Sequence, residues 1–382
     1  MLIGLVVCAS GCTPPTQHKA PSALPTSRPA AASRAGTPTT ATPEANGANE
    51  FCRVDLPGTW RTALAAGHLS HKPGEAAVPQ AVAPDGRSVF VDSYVDGVRA
   101  LVWLRPGGKR TTVMQLPDDV HQVTGADFDG RWLAFSVSDE PILDSPWTMY
   151  AWDSATGGAA RRLGRATVPG PYAYPVVVAG KAFWAQAVND HESQLHMADL
   201  AAGTQQVIRD GVPGYPFHYG ALVVWPEMAP GTDPITLQAA DPATGHLVTL
   251  PRELSAPLAR PAFENGDAGS FVWSDRDLKR LQVWRSGAPA PVTILEQAPP
   301  GSYLQWPRLS GTIVTWDNGS AVFVADLRSG SYAQLTEEAG RTLVNGDGLL
   351  VTYPPTGVRS MHMVEESTLV RLGDLPPLPG CR

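Results

Sequence analysis

The feature that most constrains this chain is a glycine turn followed at once by a short β-rich run, repeated seven times after residue 78. The copies read Gly86-Arg-Ser-Val-Phe-Val, Gly130-Arg-Trp-Leu-Ala-Phe, Gly180-Lys-Ala-Phe-Trp-Ala, Gly220-Ala-Leu-Val-Val-Trp, Gly269-Ser-Phe-Val-Trp-Ser, Gly311-Thr-Ile-Val-Thr-Trp and Gly348-Leu-Leu-Val-Thr-Tyr. Their glycines are 44, 50, 40, 49, 42 and 37 residues apart. A period of that length with strand-like runs is what propeller blades leave in a sequence.

A second signal falls after most of these glycines. It is Asp-x-x-x-Gly, at Asp153 to Gly157, Asp199 to Gly203, Asp241 to Gly245 and Asp326 to Gly330, each between apolar runs. An Asp that opens a turn and a Gly that takes positive φ make a tight hairpin. The unit is therefore strand a, glycine turn, strand b, variable loop, strand c, hairpin, strand d. Helical periodicity of useful length is absent. The expected fold is all-β: a seven-bladed β-propeller over residues 78–382, with six or eight blades as the alternatives. Blade one lacks the Asp-Gly hairpin, and Glu365-Glu366-Ser367 stands in its place in blade seven.

Ala83-Pro84-Asp85-Gly86-Arg87 before a strand and Trp273-Ser274-Asp275-Arg276-Asp277 after one resemble the WD-like repeats of TolB-type propellers. The resemblance covers roughly residues 78–372 and is sharp in two or three blades. It implies the fold and, at one remove, a part in envelope transport. TolB-type proteins carry an extra α/β domain for which this chain has no room.

The residues before the repeats set the expected location. Met1 to Val7 is apolar, and Ala9-Ser10-Gly11 stands directly before Cys12. An apolar run ending in small residues is a signal-peptidase substrate. The small-small-Cys ending resembles the lipobox of bacterial lipoproteins, which implies a signal peptide over 1–11, lipid on Cys12 and a membrane anchor on the extracytoplasmic side. No Lys or Arg precedes the run, and Ala9 stands where that family more often has Leu, so the expected start codon lies upstream. Residues 12–50 read as a linker. Prolines at 14, 15, 21, 25, 29, 38 and 43, one large aliphatic residue (Leu24) and no aromatic leave too little apolar surface to offset ordering. Stretched, residues 13–50 span on the order of 120–135 Å. Residues 51–77 hold one short helix, with Thr59 as N-cap, Trp60, Ala63 and Leu64 on one face and Gly67 as the stop.

Of four cysteines, Cys8 is removed with the signal and Cys12 carries lipid. Cys52 and Cys381 remain at the two ends of the folded region. An oxidising compartment favours pairing them. The two ends of a closed ring return to one seam, so a Cys52–Cys381 disulfide is expected there. On the chain-entropy description such a loop is worth on the order of 4–5 kcal/mol.

With a net charge of −7, 17% charged residues and no basic block, the chain lacks the phosphate-neutralising patch of a nucleic-acid binder. No cofactor motif occurs. His191-Glu192 followed by His196 lacks zincin spacing, His68 and His71 have no third ligand nearby, and Gly-x-Ser-x-Gly is missing. No metal or catalytic residue is assigned. In a propeller the b–c loops and d–a linkers share one face. Here the b–c loops collect acids, among them Asp92, Asp139, Glu140, Asp190, Glu192, Glu227, Asp275 and Asp317. The linkers place aromatics beside prolines, at Tyr174, Tyr215 and Trp306. The candidate binding face is Asp139, Glu140, Tyr174, Asp190, Tyr215, Asp275 and Trp306, because variable loops converge there on a rigid ring. Two functional readings follow. One is a monomeric, non-catalytic binding or scaffold propeller with a protein or glycan partner in the cell envelope. The other is a lyase or hydrolase on an envelope or extracellular glycan, since sugar sites set aromatics beside carboxylates.

Overall fold

The computed structural model describes residues 51–381, apart from 143–144, 169–172, 190, 228–234, 256–262, 297–301, 354–357, 360–361 and 364–365. The chain is a seven-bladed β-propeller. Blades one to six are antiparallel meanders of four strands. Blade one is Ala76–Val82, Val89–Val95, Val98–Arg105 and Lys109–Gln115; blade two is Gln122–Phe128, Trp132–Ser138, Trp147–Asp153 and Arg161–Ala166. Blade three begins at Val176–Val178, blade four at Phe217–Tyr219, blade five at Phe263–Asp267, blade six at Gln305–Ser310 and blade seven at Arg341–Asn345. These seven innermost strands, the a strands, line the central channel. The face that carries the b–c loops and d–a linkers is called the upper face below.

The core is divided among the gaps between blades. Seven separate hydrophobic clusters occur, one for each pair of neighbouring blades, including the pair formed by blades seven and one. The b strands are buried on both sides, as in Trp132–Ser138 and Ile313–Asp317, so they read as continuous apolar runs rather than alternating ones. The aromatic that ends many of these runs fills a gap: Trp184, Trp225 and Trp316 are among the largest fully buried side chains.

Polar staples tie several blades to the inner strand of the next. Asp92 Oδ2 accepts from Val123 N–H at 3.1 Å, Asp127 Oδ2 from Val177 N–H at 2.7 Å, and Asp129 Oδ2 from Gly180 N–H at 3.0 Å. Asn265 and Asp267 repeat the pattern on Leu309 and Gly311, at 3.2 and 2.7 Å. Carboxylates placed by the sequence in turns thus also satisfy backbone donors that one blade alone leaves unpaired.

The Asp-x-x-x-Gly signals are hairpins as expected. Gly157, Gly203, Gly245 and Gly330 all take positive φ, and the aspartates accept backbone N–H bonds inside each turn. In blade seven the sequence reading needs correction. The positive-φ glycine is Gly346, at 54°, and Gly348 opens strand b instead. A Cβ on Gly348 would lie 2.4 Å from Val82 Cγ1, so this glycine lets the corner of blade one press against blade seven.

Blade seven has three strands from its own repeat, Arg341–Asn345, Gly348–Thr352 and Ser367–Arg371. Glu366-Ser367 leads into strand c and is no c–d hairpin. The outer edge of the blade is completed by the N-terminal segment, with Leu369 N–H donating to Gly67 O at 2.9 Å and Leu69 N–H to Ser367 O at 2.8 Å. Closure by a distant segment leaves no periodic signal, because residues 67–69 belong to no repeat.

The preceding helix, Gly58–Ala66, buries Trp60 and Leu64 against blades six and seven. It starts earlier than expected: Pro57, not Thr59, is the N-cap, since its φ of −58° and extended ψ of 148° already set up the first turn. Before the helix, Cys52–Arg53 adds a fifth strand to blade six, parallel to Ser331 and Tyr332. The C-terminal tail returns to the same blade. Trp60 Nε1 donates to Pro376 O at 2.8 Å, and Leu378 N–H to Asp326 Oδ2 at 3.3 Å. The expected disulfide joins Cys52 to Cys381, with Cα atoms 5.7 Å apart. It lies on the outer edge of blade six, where Cys381 Sγ sits 3.3 Å from Gly330 O. No helix among the described residues is long and apolar enough to cross a membrane.

Candidate functional site

The two ends of the channel differ. At the lower end, side chains cross it. His218, from the inner strand of blade four, lies 3.1 Å from Asp127 Oδ2 of blade two. Asn345 of blade seven donates to Val82 O of blade one and to Phe128 O of blade two, at 2.9 and 2.8 Å. Burial alone would depress the His218 imidazole. The hydrogen bond and charge of Asp127, helped by Asp267 and Asp129, outweigh it and hold His218 above its ordinary value. These bonds make a floor.

At the upper end the inner strands present a different set: Tyr174 and Tyr215 from blades three and four, Arg308 from blade six and Arg341 from blade seven. The tyrosine rings meet edge-to-face, centroids 4.8 Å apart. Both are placed by their surroundings. The Tyr174 ring lies over Gly125 of blade two, where a Cβ would come within 2.8 Å of Tyr174 Cδ1. Ser136 Oγ donates to the carbonyl of Ala173 at 2.7 Å and so fixes the turn that aims Tyr174. Tyr215 follows a segment clamped to blade four, with Gly214 N–H donating to Pro226 O at 2.7 Å. That clamp is steadied by Arg209, which forks onto the Glu227 carboxylate.

Arg308 owes its position to a bulge. Gln305 pairs with Asp317 and Arg308 with Thr315, so one extra residue is accommodated between them. Trp306 absorbs it with φ of 51°, a conformation that costs a non-glycine residue about 1–3 kcal/mol and is tolerated where the surrounding structure enforces it. The guanidinium then lies 6.0 Å from the centre of the Trp306 ring. Among the described residues Arg308 donates no hydrogen bond. Arg341 is anchored, donating to Pro79 O of blade one at 2.9 Å. Asp317 is 7% exposed and is held by Gly319 N–H and by Gln305 Nε2, at 3.1 and 3.0 Å.

Electrostatics show that these groups converge. The charges of Arg308 and Arg341 act on the Tyr174 hydroxyl from the opposite side of the ring. Burial nevertheless pushes Tyr174 and Tyr215 above the ordinary phenol value, so both hydroxyls stay protonated. Tyr215 keeps 40% of its surface accessible and still shows this burial effect. Burial pushes Asp317 up to about 6, against the pull of its two hydrogen bonds and of Arg308. Burial lowers Arg308, and Arg341 adds to that, while Tyr174 and Asp317 oppose it. The guanidinium remains the charged form at any ordinary pH.

The residues singled out from sequence fall into two groups. Tyr174, Tyr215 and Trp306 belong to the upper mouth. Asp139 lies on the rim, paired with Arg165, and exposed Glu140 is in the same loop. Asp275 caps its own loop through Lys279 and Arg280 N–H groups, at 2.7 and 3.1 Å. Asp190 lies outside the described residues. Other carboxylates read as rim acids also meet arginines: Asp92 is 3% exposed and gripped by Arg99, and Glu227 by Arg209. The rim is thus laced with ion pairs, and the cations at the mouth are what the reading of loops passed over. Their signal was an arginine inside an inner strand, in Gln305-Trp-Pro-Arg-Leu-Ser and Arg341-Thr-Leu-Val-Asn.

No protein-family model matches the sequence, and no curated protein is similar to it. Solved structures do match. A prolyl endopeptidase is 13% identical with a TM-score of 0.53, over 85% of this chain and 50% of its own. An acylaminoacyl peptidase from Pyrococcus horikoshii is 9% identical with a TM-score of 0.50, over 75% of this chain and 51% of its own. The chain spans about half the length of these enzymes, and the likeness is one of fold. Among the described residues no group of three His, Cys, Asp or Glu side chains could hold a metal ion.

Proposed function

We propose that this protein is a non-catalytic binding or scaffold propeller, held by lipid on Cys12 at the extracytoplasmic face of a bacterial membrane, and that it engages its partner through the upper face. The TolB-like reading of the repeats and the Pro-rich tether of residues 13–50 belong to this proposal. The observation that carries it is the asymmetry of the channel: Tyr174, Tyr215, Arg308 and Arg341 converge at the upper mouth above a floor of hydrogen bonds. The surface agrees. Among the described residues eight large hydrophobics are exposed, six on the upper face (Val98, Val120, Ile142, Val188, Tyr215, Tyr303) and two on outer strands. The lower-face acids Asp85, Asp129, Asp153 and Asp199 are occupied in their own turns.

A glycan lyase or hydrolase would draw on Asp317, whose value suits a general acid. Hydrolysis by paired carboxylates needs a second one facing the first. Asp317 interacts with Arg308, Gln305 and Gly319, and among the described residues no second carboxylate contributes to its electrostatics. The peptidase chemistry of the structural neighbours is not carried over, since similarity at this identity speaks for fold alone.

The test is crosslinking and pull-down from intact envelopes with the tethered protein as bait. Gly125→Val, which displaces Tyr174, should lose the partner, and Asp85→Asn on the lower face should keep it. The opposite pattern removes the upper-face reading. Fatty-acid labelling that survives Cys12→Ser removes the anchor.

A further inference from the structure

We infer that the upper channel binds a sugar acid, with Arg308 taking the ligand carboxylate and Tyr215 and Trp306 facing the sugar ring. This rests on the proposed binding role of the upper face and names the chemistry of its ligand.

The argument starts from Arg308. Arg308 is half-buried, and a guanidinium partly withdrawn from bulk solvent normally has its donors matched by acceptors, because an unmatched polar group there is costly. Three other arginines of the upper rim are matched by carboxylates. Arg99 is bidentate on Asp92, Arg165 pairs with Asp139, and Arg209 forks onto Glu227. The Arg308 guanidinium has an aromatic ring 6.0 Å away and, among the described residues, no acceptor. Its planar fork is the group that recognises a carboxylate in a two-point geometry.

The charge of the neighbourhood selects the anion. Arg308 and the anchored Arg341 supply positive charge, and Asp317 sits beside Arg308 as a partial counter-charge. A monoanion balances that set. A phosphate dianion would face Asp317 with excess charge and would need more donors than one free fork supplies.

The remaining walls select what carries the carboxylate. The Tyr174 and Tyr215 hydroxyls stay protonated and are present as donors and acceptors for hydroxyl groups. The exposed Tyr215 ring and the half-buried Trp306 ring each combine an apolar face with a polar edge, which suits a pyranose that has both. Below, the His218–Asp127 and Asn345 bonds stop the ligand from passing through.

Asp317 makes the site pH-sensitive. It is faced by Arg308 from the adjoining strand, by the Gln305 amide and by Gly319 N–H. Protonation removes the carboxylate charge that Asp317 sets beside Arg308, so binding tightens as pH falls through about 6.

Calorimetric titration of the full mature chain with sodium glucuronate, glucose and inorganic phosphate tests this. Glucuronate should bind, and glucose and phosphate should each bind at least about thirtyfold more weakly, the scale of one forked charge-assisted contact. Arg308→Ala should lose about the same factor for glucuronate without lowering the melting temperature, and Arg308→Lys should recover part of it. Going from pH 7.5 to 5.5 should tighten glucuronate about fivefold or more, and Asp317→Asn should remove that dependence. Equal binding of glucose, preference for phosphate, or an Arg308→Ala protein that binds glucuronate normally overturns the inference. If Arg308→Ala loses envelope capture while glucuronate does not bind, the binding role stands and the sugar-acid inference falls.

Discussion

His218 and Asp127 meet at 3.1 Å across the lower channel, joining blade four to blade two past the whole of blade three. A bond between non-adjacent blades resists ovalisation of the ring, which contacts between neighbours do not. It also depends on charge. His218 is raised in the folded protein, chiefly through Asp127 once burial is overcome. Its contribution is therefore complete below the unfolded histidine value, near pH 6.5, and disappears as pH rises through the higher folded value. His218→Gln should lower the melting temperature at pH 6 and converge on wild type at pH 9. An equal deficit at both pH values would show that the imidazole acts by packing and not by charge.

Asp317 has the opposite sign. Its carboxyl is raised to about 6 by burial, so the folded state holds the proton more tightly than the unfolded state does. The cost of keeping it ionised is absent below about pH 4, grows between pH 4 and 6, and is complete above that, at about 2–3 kcal/mol. Asp317→Asn should therefore stabilise the protein at pH 8 and leave it unchanged at pH 4, as read by denaturant titration at each pH. Stabilisation that persists at pH 4 would place the cause elsewhere.

Closure by the N-terminal segment rests on how closely Gly67 approaches blade seven. A Cβ there would lie 2.2 Å from Leu369 O, which is backbone in a paired strand and cannot yield. Gly67→Ala should cost about 2–3 kcal/mol. Gly58→Ala, nine residues earlier in the same helix-bearing segment, meets only the Arg61 side chain at 3.8 Å and should be neutral or slightly stabilising. Unfolding midpoints that move alike in the two variants would count against closure at Gly67.

The Cys52–Cys381 bond spans a sequence separation of 329 and should add on the order of 5 kcal/mol by restricting the unfolded chain. Because both partners sit on blade six, it also holds the tails that cover the seam. Reduction should lower the melting temperature by several degrees. Amide exchange should rise first at Leu69 and Leu369, whose bonds close blade seven. Unchanged exchange there after reduction would show that strand pairing holds the seam without the bond.

The repeats determined the blades. A glycine at the corner before each buried strand and, in four blades, an Asp-Gly hairpin after it are local requirements, met by a few consecutive residues, so seven units could be read from the order of residues alone. The disulfide was legible for a related reason: two cysteines flanked a ring, and a ring returns its ends to one place. The tertiary structure decided what no local pattern encodes. Residues 67–69 cover the outer edge of blade seven, through a single antiparallel bridge, because that blade's own repeat supplies three strands and the chain passes its open edge. Asp92 and Asp139 do not stand as free acids because arginines from neighbouring strands reach them. Arg308 and Arg341 lie 33 residues apart in sequence and face tyrosines more than 90 residues away. Only closing the ring brings the inner strands around one axis, and that geometry places their side chains in a shared, partly desolvated space.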